Sequence, residues 1–229
     1  MNRLLLPVCV MLSSLAAALP ASAELREVSG FDQVAVEGRF RVEVTVGPEY
    51  RVYADGPDAS RIQTVVEDDT LEIRPARRPW FGGNPQYDAT VRVTLPRLES
   101  VTAARGASVR ATAGGECDRF GAAAAMGSAL TVNGLQCDMI EAAAAMGANL
   151  TLAGACESLD VAAAMGAVVE AAELRCGSVD ASAAMGADIE AFASAAFDAS
   201  ASMGGSINVA GGATSGDRSA VMGGSITQN

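Results

Sequence analysis

The most regularly spaced reactive groups in the chain are cysteine thiols. Cys117, Cys137, Cys156 and Cys176 recur every 19 or 20 residues. If each lies at the same place on successive coils of a repeat, neighbouring Cα atoms are about 4.8 Å apart, inside the range of about 4.4–6.8 Å that a disulfide spans. Only adjacent coils can then pair, which favours Cys117–Cys137 and Cys156–Cys176. The alternative is a ladder of free thiols, and a straight column without histidine does not suit zinc.

Methionine thioethers follow the same period. Met-Gly pairs begin 18 to 20 residues apart at Met126, Met146, Met165, Met185, Met203 and Met222, and Arg105-Gly106 is a degenerate first copy. Thioethers are soft ligands that suit copper. Each methionine stands between a small-residue tract and a turn glycine, however, and this favours a flexible side chain that fills a corner of the core. The pattern therefore predicts packing and no cofactor.

Carboxylates also recur in phase with the repeat. A first acidic column holds Glu141, Asp160, Asp180 and Asp198, and a second holds Asp118, Asp138 and Glu157. Stacked carboxylates repel unless a cation or an arginine lies between them. The hypotheses are a solvated face, a weak cation site on the first column, and glycan cleavage by paired carboxylates. No partner base accompanies the columns, which favours the solvated face and disfavours an enzyme.

A repeat of about 19–20 residues must position these columns. Apolar residues alternate after each Met-Gly pair, as in Leu130-x-Val132 and Ile207-x-Val209, which is the pattern of a strand. Alanine tracts such as 142–145 have helical composition, but tracts of this length do not form stable helices. The pattern predicts an all-β fold: a parallel β-helix or solenoid of about six coils, right-handed by the usual crossover preference.

The N-terminal third has plain alternation without the repeat. Phe40-x-Val42-x-Val44 is an example, and Gly47-Pro48 and Gly56-Pro57 mark turns. We expect a β-strand layer or cap over residues 24–97, covering one end of a solenoid over residues 98–229. The two regions are expected to form one continuous domain over residues 24–229.

One loop concentrates positive charge and aromatic rings. It contains Arg74, Arg77, Arg78, Trp80 and Phe81. Such a loop is a candidate partner-binding loop, and the alternative is a mobile hairpin tip.

The first 23 residues predict a secretory signal peptide. Arg3 supplies the positive start, residues 4–19 are mostly apolar, and Ala21-Ser22-Ala23 fits a cleavage site. The apolar stretch is too short and too rich in serine and alanine for a comfortable membrane span. We expect export to the periplasm or the cell surface, without a membrane-spanning segment.

The exported chain is strongly acidic. The sequence has 16 arginines, no lysine, no histidine and 27 carboxylates, so loss of Arg3 leaves 15 cations against 27 anions. Bulk charge of this sign excludes binding to nucleic acid or to anionic lipid.

The N-terminal residues resemble a known family. The run from Gly30 to Gly38 (Gly-Phe-Asp-Gln-Val-Ala-Val-Glu-Gly), the strand 40–46 and Leu71-Glu72-Ile73 are similar to the start of the putative auto-transporter adhesin head GIN domain family. Met-Gly-Ala-Asp-Ile from Met185 stands where that family has a Ser-Gly-rich repeat. The resemblance implies an exported bacterial protein with a β-helix-like fold and brings no catalytic residues with it.

These observations predict a non-catalytic, adhesin-like binding or structural module of the cell envelope, with a protein or glycan ligand. One alternative is a polysaccharide-acting β-helix enzyme that uses surface carboxylates and arginine, for which Asp160 and Asp180 are the residues to test. The other is a self-assembling protein, since the last coil ends at Asn229 with no evident cap and its edge is a candidate surface for a homo-oligomer.

Overall fold

The structure, a computed structural model, describes residues 24–77 and 85–229. It is nearly all β and winds one 17-stranded sheet into a solenoid of about six turns. The strands are β1 (Glu24–Arg26), β2 (Gln33–Glu37), β3 (Arg39–Val46), β4 (Arg51–Asp55), β5 (Ile62–Glu67), β6 (Thr70–Pro75), β7 (Gln86–Leu95), β8 (Ser100–Ala104), β9 (Ser108–Thr112), β10 (Cys117–Ala125), β11 (Ala129–Ala145), β12 (Asn149–Ala164), β13 (Val168–Ala184), β14 (Asp188–Ser202), β15 (Ser206–Ala210), β16 (Thr214–Val221) and β17 (Ser225–Gln228). A short 3-10 helix spans Ala59–Arg61. The predicted parallel β-solenoid is confirmed.

Successive coils of the repeat stack in parallel and in register. Leu130 pairs with Leu150 and Ile140 pairs with Leu159, and the same columns continue into the next coils. These aliphatic columns are fully buried. Each coil therefore buries its apolar side chains only against the coils above and below it, as expected of a solenoid.

The interior is narrow on the side of the alanine tracts. Ala142, Ala144, Ala163 and Ala183 point inward and are at most 5% exposed. Methyl groups therefore fill this side of the interior. A larger side chain at these positions would overpack the core.

The N-terminal strands cap one end of the solenoid in an order that differs from the chain order. Strands β2 and β3 lie between the β6–β7 coil and the β8–β9 coil, in parallel with both. On the outer side of the β6–β7 coil, β5 pairs antiparallel with β6 and β4 pairs antiparallel with β7. Strand β1 pairs antiparallel with the other side of β4. The switch to antiparallel pairing covers the edge of the outermost parallel coil, as the predicted cap requires.

At the C-terminal end, β16 and β17 pair with β14 and β15, and within residues 24–77 and 85–229 no strand covers their other side. Arg218 pairs with the buried Ala199 and Gln228 with the buried Val209, so polar residues occupy inward positions of the last coil. The Gln228 Nε2 donates a hydrogen bond to the Ala213 carbonyl at 2.7 Å. Inward-pointing polar groups disfavour the addition of another coil.

None of the described segments is a helix with the length and hydropathy needed to cross a bilayer.

Candidate interaction face

The alanine face is the outer surface of the strand segments that precede the Met-Gly turns. Because side chains alternate along a strand, Ala143 faces outward between the inward Ala142 and Ala144. The register aligns each outward residue with its equivalent on the next coil. Two parallel columns form the face: Ala123, Ala143, Ala162 and Ser182, and Ala125, Ala145, Ala164 and Ala184.

Longer side chains border the alanine face on both sides. These alanines and Ser182 line a shallow depression on the surface of the solenoid. The first acidic column lies on one side of it, two residues before the alanine columns, and the methionine column lies on the other side, at the turns. The alanine face is therefore an apolar strip between a line of carboxylates and a line of thioethers.

The methionines do not fill the core, and the sequence-based prediction of core packing was wrong. Met126, Met146, Met165, Met185 and Met203 are 42–48% exposed, and Met222 is 74% exposed. Each has a left-handed backbone with φ between 47° and 55°. The side chain at this position of a tight turn points away from the coil, so it cannot reach the interior.

Each Met-Gly pair forms the centre of a tight turn. Ser128 N donates to the Ala125 carbonyl at 3.3 Å, which closes the turn around Met126 and Gly127. Both central residues have positive φ, at 54° and 68°, as in a type I′ turn. Gly127 N also donates to the Met146 carbonyl of the next coil at 3.1 Å. The backbone ladder thus continues through the turns and holds the methionines in a column.

The first acidic column exists as predicted from the repeat. Glu141, Asp160, Asp180 and Asp198 are aligned on four successive coils. At Glu141, the first residue of the column in chain order, Arg119 Nη1 lies 3.4 Å from Glu141 Oε1. Partial burial, followed by the neighbouring Asp160 and Asp198 carboxylates, raises the pKa of Asp180 above its usual range.

The arrangement of this column is linear, with one carboxylate per coil. Among the described residues, no group of three or more histidine, cysteine or acidic side chains has the arrangement that would hold a metal ion. The weak cation site on Glu141, Asp160, Asp180 and Asp198 therefore stays a prediction.

The cysteines join neighbouring coils in the pairing predicted from their spacing. Cys117 is bonded to Cys137 and Cys156 to Cys176, with Cα–Cα distances of 4.4 and 4.5 Å. The second acidic column borders the same surface, where an open depression is lined by Asp118, Asp138, Glu157 and three of the four cysteines. This part of the coil is crosslinked and acidic, and lies apart from the alanine face.

The candidate partner-binding loop begins on an outward column that also enters the alanine face, but it lies three strands beyond Ala123 toward the N-terminal strands. Arg74 lies at the end of β6, where its Nη1 is 2.6 Å from Glu72 Oε2. Glu72 aligns with Ala35, Ala35 with Thr102 and Thr102 with Ala123, so one outward column runs from the loop into the face. Arg77 is described, whereas Arg78, Trp80 and Phe81 lie outside the described residues.

The fold is shared with several solved structures. A putative adhesin from Bacteroides fragilis has a TM-score of 0.77 at 18% identity, covering 91% of this chain and 96% of that one. A putative adhesin from Parabacteroides merdae has 0.67 at 14% identity, covering 91% and 96%. A putative lipid binding protein from Parabacteroides distasonis has 0.66 at 13% identity, covering 92% and 97%. At these identities the likeness establishes the fold alone.

A search of curated proteins finds no match to the chain. A family model described as putative auto-transporter adhesin, head GIN domain, matches residues 30–213. This range includes the N-terminal motif that carried the resemblance, most of the repeat and both disulfides. The chain therefore belongs to the putative auto-transporter adhesin head GIN domain family.

Proposed function

We propose that this chain is an exported, non-catalytic binding module of the cell envelope that contacts a protein partner through the alanine face. The observation that carries the proposal is the exposed apolar surface made by the alanine columns and the methionine column. Contiguous apolar surface on a soluble protein typically marks an interaction site. Exposed methionines add adaptable contacts at such surfaces.

The chemistry of the face favours a protein over a glycan. Sugar hydroxyls need hydrogen-bonding side chains, and alanine has none. The line of carboxylates from Glu141 to Asp198 favours a partner whose apolar contact surface is flanked by lysine or arginine. The carboxylates of the first acidic column would orient such a partner, and apolar contacts with the alanine face would hold it.

The proposal extends to the whole exported chain. Residues 24–229 act as one domain, in which the N-terminal strands support the repeat. The loop that follows β6, which contains Arg74, Arg77, Arg78, Trp80 and Phe81 in the sequence, is the candidate for additional partner contacts. This proposed role is supported by the column that connects Arg74's strand to Ala123.

Retention of the purified protein on cell envelopes of the source organism tests the proposed face. Ala143→Arg combined with Ala162→Arg puts two long charged side chains on adjacent coils of the alanine face. Ala129→Arg combined with Asn149→Arg is the matched control, because these aligned exposed residues lie beyond the turn. We expect saturable retention of the native chain, lost in the first variant and kept in the second. Equal retention of both variants would contradict the proposal.

Protease treatment of intact cells that express a tagged chain tests its location. Loss of the tag while a periplasmic marker survives assigns the module to the cell surface and favours adhesion. Protection until the outer membrane is opened assigns it to the periplasm and favours an envelope partner. Retention of the tag in the cytoplasmic fraction would contradict export.

A polysaccharide-acting enzyme is the second candidate, favoured by one observation. Partial burial, followed by the neighbouring Asp160 and Asp198 carboxylates, raises the pKa of Asp180, and a raised carboxyl pKa is a property of general acids. Incubation with pectin-like and alginate-like polymers tests it. Cleavage that disappears with Asp160→Ala or Asp180→Ala would replace the binding module with an enzyme.

Self-assembly is the third candidate: within the described residues β16 and β17 have one unpaired side, but Arg218 and Gln228 at inward positions of this coil disfavour the addition of another coil. Sedimentation of the exported chain at rising concentration tests it. A concentration-independent monomer would exclude assembly through this edge.

A further inference from the structure

The Met-Gly turns use a residue that their geometry disfavours. A type I′ turn prefers asparagine, aspartate or glycine at its first central position, because φ is positive there. The left-handed conformation brings the Cβ atom too close to the following carbonyl oxygen, which costs about 1–2 kcal/mol for a residue such as methionine. Methionine nevertheless occupies this position in six successive turns. Backbone strain that persists in this way is a reason to look for a function.

Burial does not compensate for this cost. All six methionines are at least 42% exposed, so the core gains little from them. The fold does not require methionine there either, since Arg105 adopts φ 55° at the equivalent turn of the preceding coil. Repeated strain and repeated exposure of one side-chain type point to the chemistry of its sulfur.

We propose that the methionine column binds soft monovalent cations, Cu(I) or Ag(I), each held between the sulfurs of two consecutive coils. Thioether sulfur selects soft metal ions. Parallel strands lie about 4.8 Å apart. If a metal–thioether bond has roughly the length of a zinc–thiolate bond, about 2.3 Å, two such bonds span nearly that distance. An ion between Met146 and Met165, for example, has a sulfur ligand on each side without distortion of the coils.

Other groups on the exported chain do not compete for such ions. The sequence has no histidine, and Cys117, Cys137, Cys156 and Cys176 are bonded in pairs. Carboxylate oxygens are hard ligands that suit magnesium and calcium. Six sulfurs taken two at a time give three ions at saturation.

The seventh described methionine provides an internal control. Met139 is 37% exposed, but it lies within a strand and aligns with Arg119 and Ser158, so no sulfur flanks it on either coil. A lone thioether of similar exposure therefore sits on the same coils as the column.

The test is titration of the exported chain with silver nitrate in chloride-free buffer, followed by native mass spectrometry and by NMR of ¹³C-labelled methionine methyl groups. We expect about three bound Ag(I) ions and shifts of the six column methyls, with the Met139 methyl unchanged. Met165→Leu leaves only two complete sulfur pairs and lowers the count to two. Met139→Leu keeps the count of the native chain.

A carboxylate origin of binding is tested separately with Asp160→Asn combined with Asp180→Asn. Unchanged Ag(I) stoichiometry in this variant supports the thioether site. Binding that is lost in this variant, or that shifts Met139 as much as the column, or that is unaffected by Met165→Leu, would overturn the proposal. The outcome is independent of the proposed protein partner, because the titration contains only the chain and the ion.

Discussion

The N-terminal region and the repeat use their charges differently. Residues 24–97 contain ten arginines and thirteen carboxylates, whereas residues 98–229 contain five arginines and fourteen carboxylates. Many described ion pairs lie in the first region, such as Arg61 with Asp58 and Arg92 with Glu43. Among the described ion pairs, Arg119 with Glu141 lies within the repeat, whereas Arg105 with Glu37 and Arg97 with Glu99 join the two regions. The N-terminal region therefore has a small excess of carboxylates, with many of them paired, whereas the repeat has a large excess of carboxylates and a column of exposed sulfurs.

Their strand pairings differ as well. The cap combines parallel and antiparallel pairs between segments distant in sequence, such as β2 with β8. The repeat pairs each coil with the next one in the chain. Stability of the repeat is therefore a sum of nearest-neighbour contacts, and the cap closes the end at which these contacts would otherwise stop.

The largest effect is expected from truncation of a buried leucine in either region. Leu71→Ala in the cap and Leu150→Ala in the repeat each remove a fully buried side chain and should cost about 2–5 kcal/mol. If residues 24–229 form one cooperative domain, both variants unfold in a single transition whose midpoint lies below that of the native chain. Far-ultraviolet circular dichroism and hydrogen exchange of the β6 and β12 amides, followed through the same urea titration, then give coincident unfolding curves. Separate transitions would show two independent units.

Loss of a disulfide should destabilise the repeat by a similar amount. Each bond joins cysteines 20 residues apart, and crosslinks of this length contribute about 3 kcal/mol. Cys156→Ser combined with Cys176→Ser should lower the free energy of unfolding by that amount in urea titrations. Reducing agent breaks both disulfides and should lower the free energy of unfolding of the native chain by more than the double substitution does. It should leave the free energy of unfolding unchanged in a variant that lacks all four cysteines. No change in the double variant would contradict a stabilising role.

Replacement of a turn methionine should raise stability. Met165→Asn puts a residue that tolerates positive φ into a strained turn and should gain about 1 kcal/mol. Met139→Asn, in an extended strand, should show no such gain. Thermal unfolding of both variants measures the difference. A loss of stability in Met165→Asn would mean that the exposed methionine has a structural role, and would weaken the case for strain retained for function.

The smallest effect is expected from the acidic column. Because the pKa of Asp180 is raised by folding, the folded state binds its proton more tightly than the unfolded state does. This stability is fully present below the unfolded pKa of about 3.9 and is lost as the pH rises through the folded pKa.

Asp180→Asn should therefore stabilise the chain at neutral pH by about 0.2–1 kcal/mol, typical of adjacent like charges, and this gain should vanish in acid. Asp188→Asn is the control, since Asp188 aligns with Val168 and Ser206 and not with carboxylates. Urea titrations at several pH values measure both. Equal pH profiles for the two variants would contradict repulsion within the column.

The fold and the disulfides were predictable because both depend on the regular spacing of residues along the repeat. The spacing of Met-Gly, cysteine and aliphatic residues sets the coil length, and coil length sets which residues stack. The position of β2 and β3 between later strands was not predictable, because it depends on pairing between segments far apart in sequence.

The candidate site was only partly predictable. The acidic column follows directly from the repeat, but in the tract 142–145 the inward and outward residues are both alanine, so no polar alternation marks the exposed face. Methionine before a turn glycine has the composition of a core position. Only the positive φ of the turn reveals that its side chain points outward.

Site-specific photocrosslinking in intact cells tests the central claim most directly. A photoreactive phenylalanine replaces Ala143 on the alanine face or Asn149 beyond the turn, both exposed and on adjacent coils. The account predicts a discrete protein adduct from position 143, competed by excess native chain, and none from position 149. Adducts of equal yield from both positions, or none from position 143, would contradict a binding module that works through the alanine face.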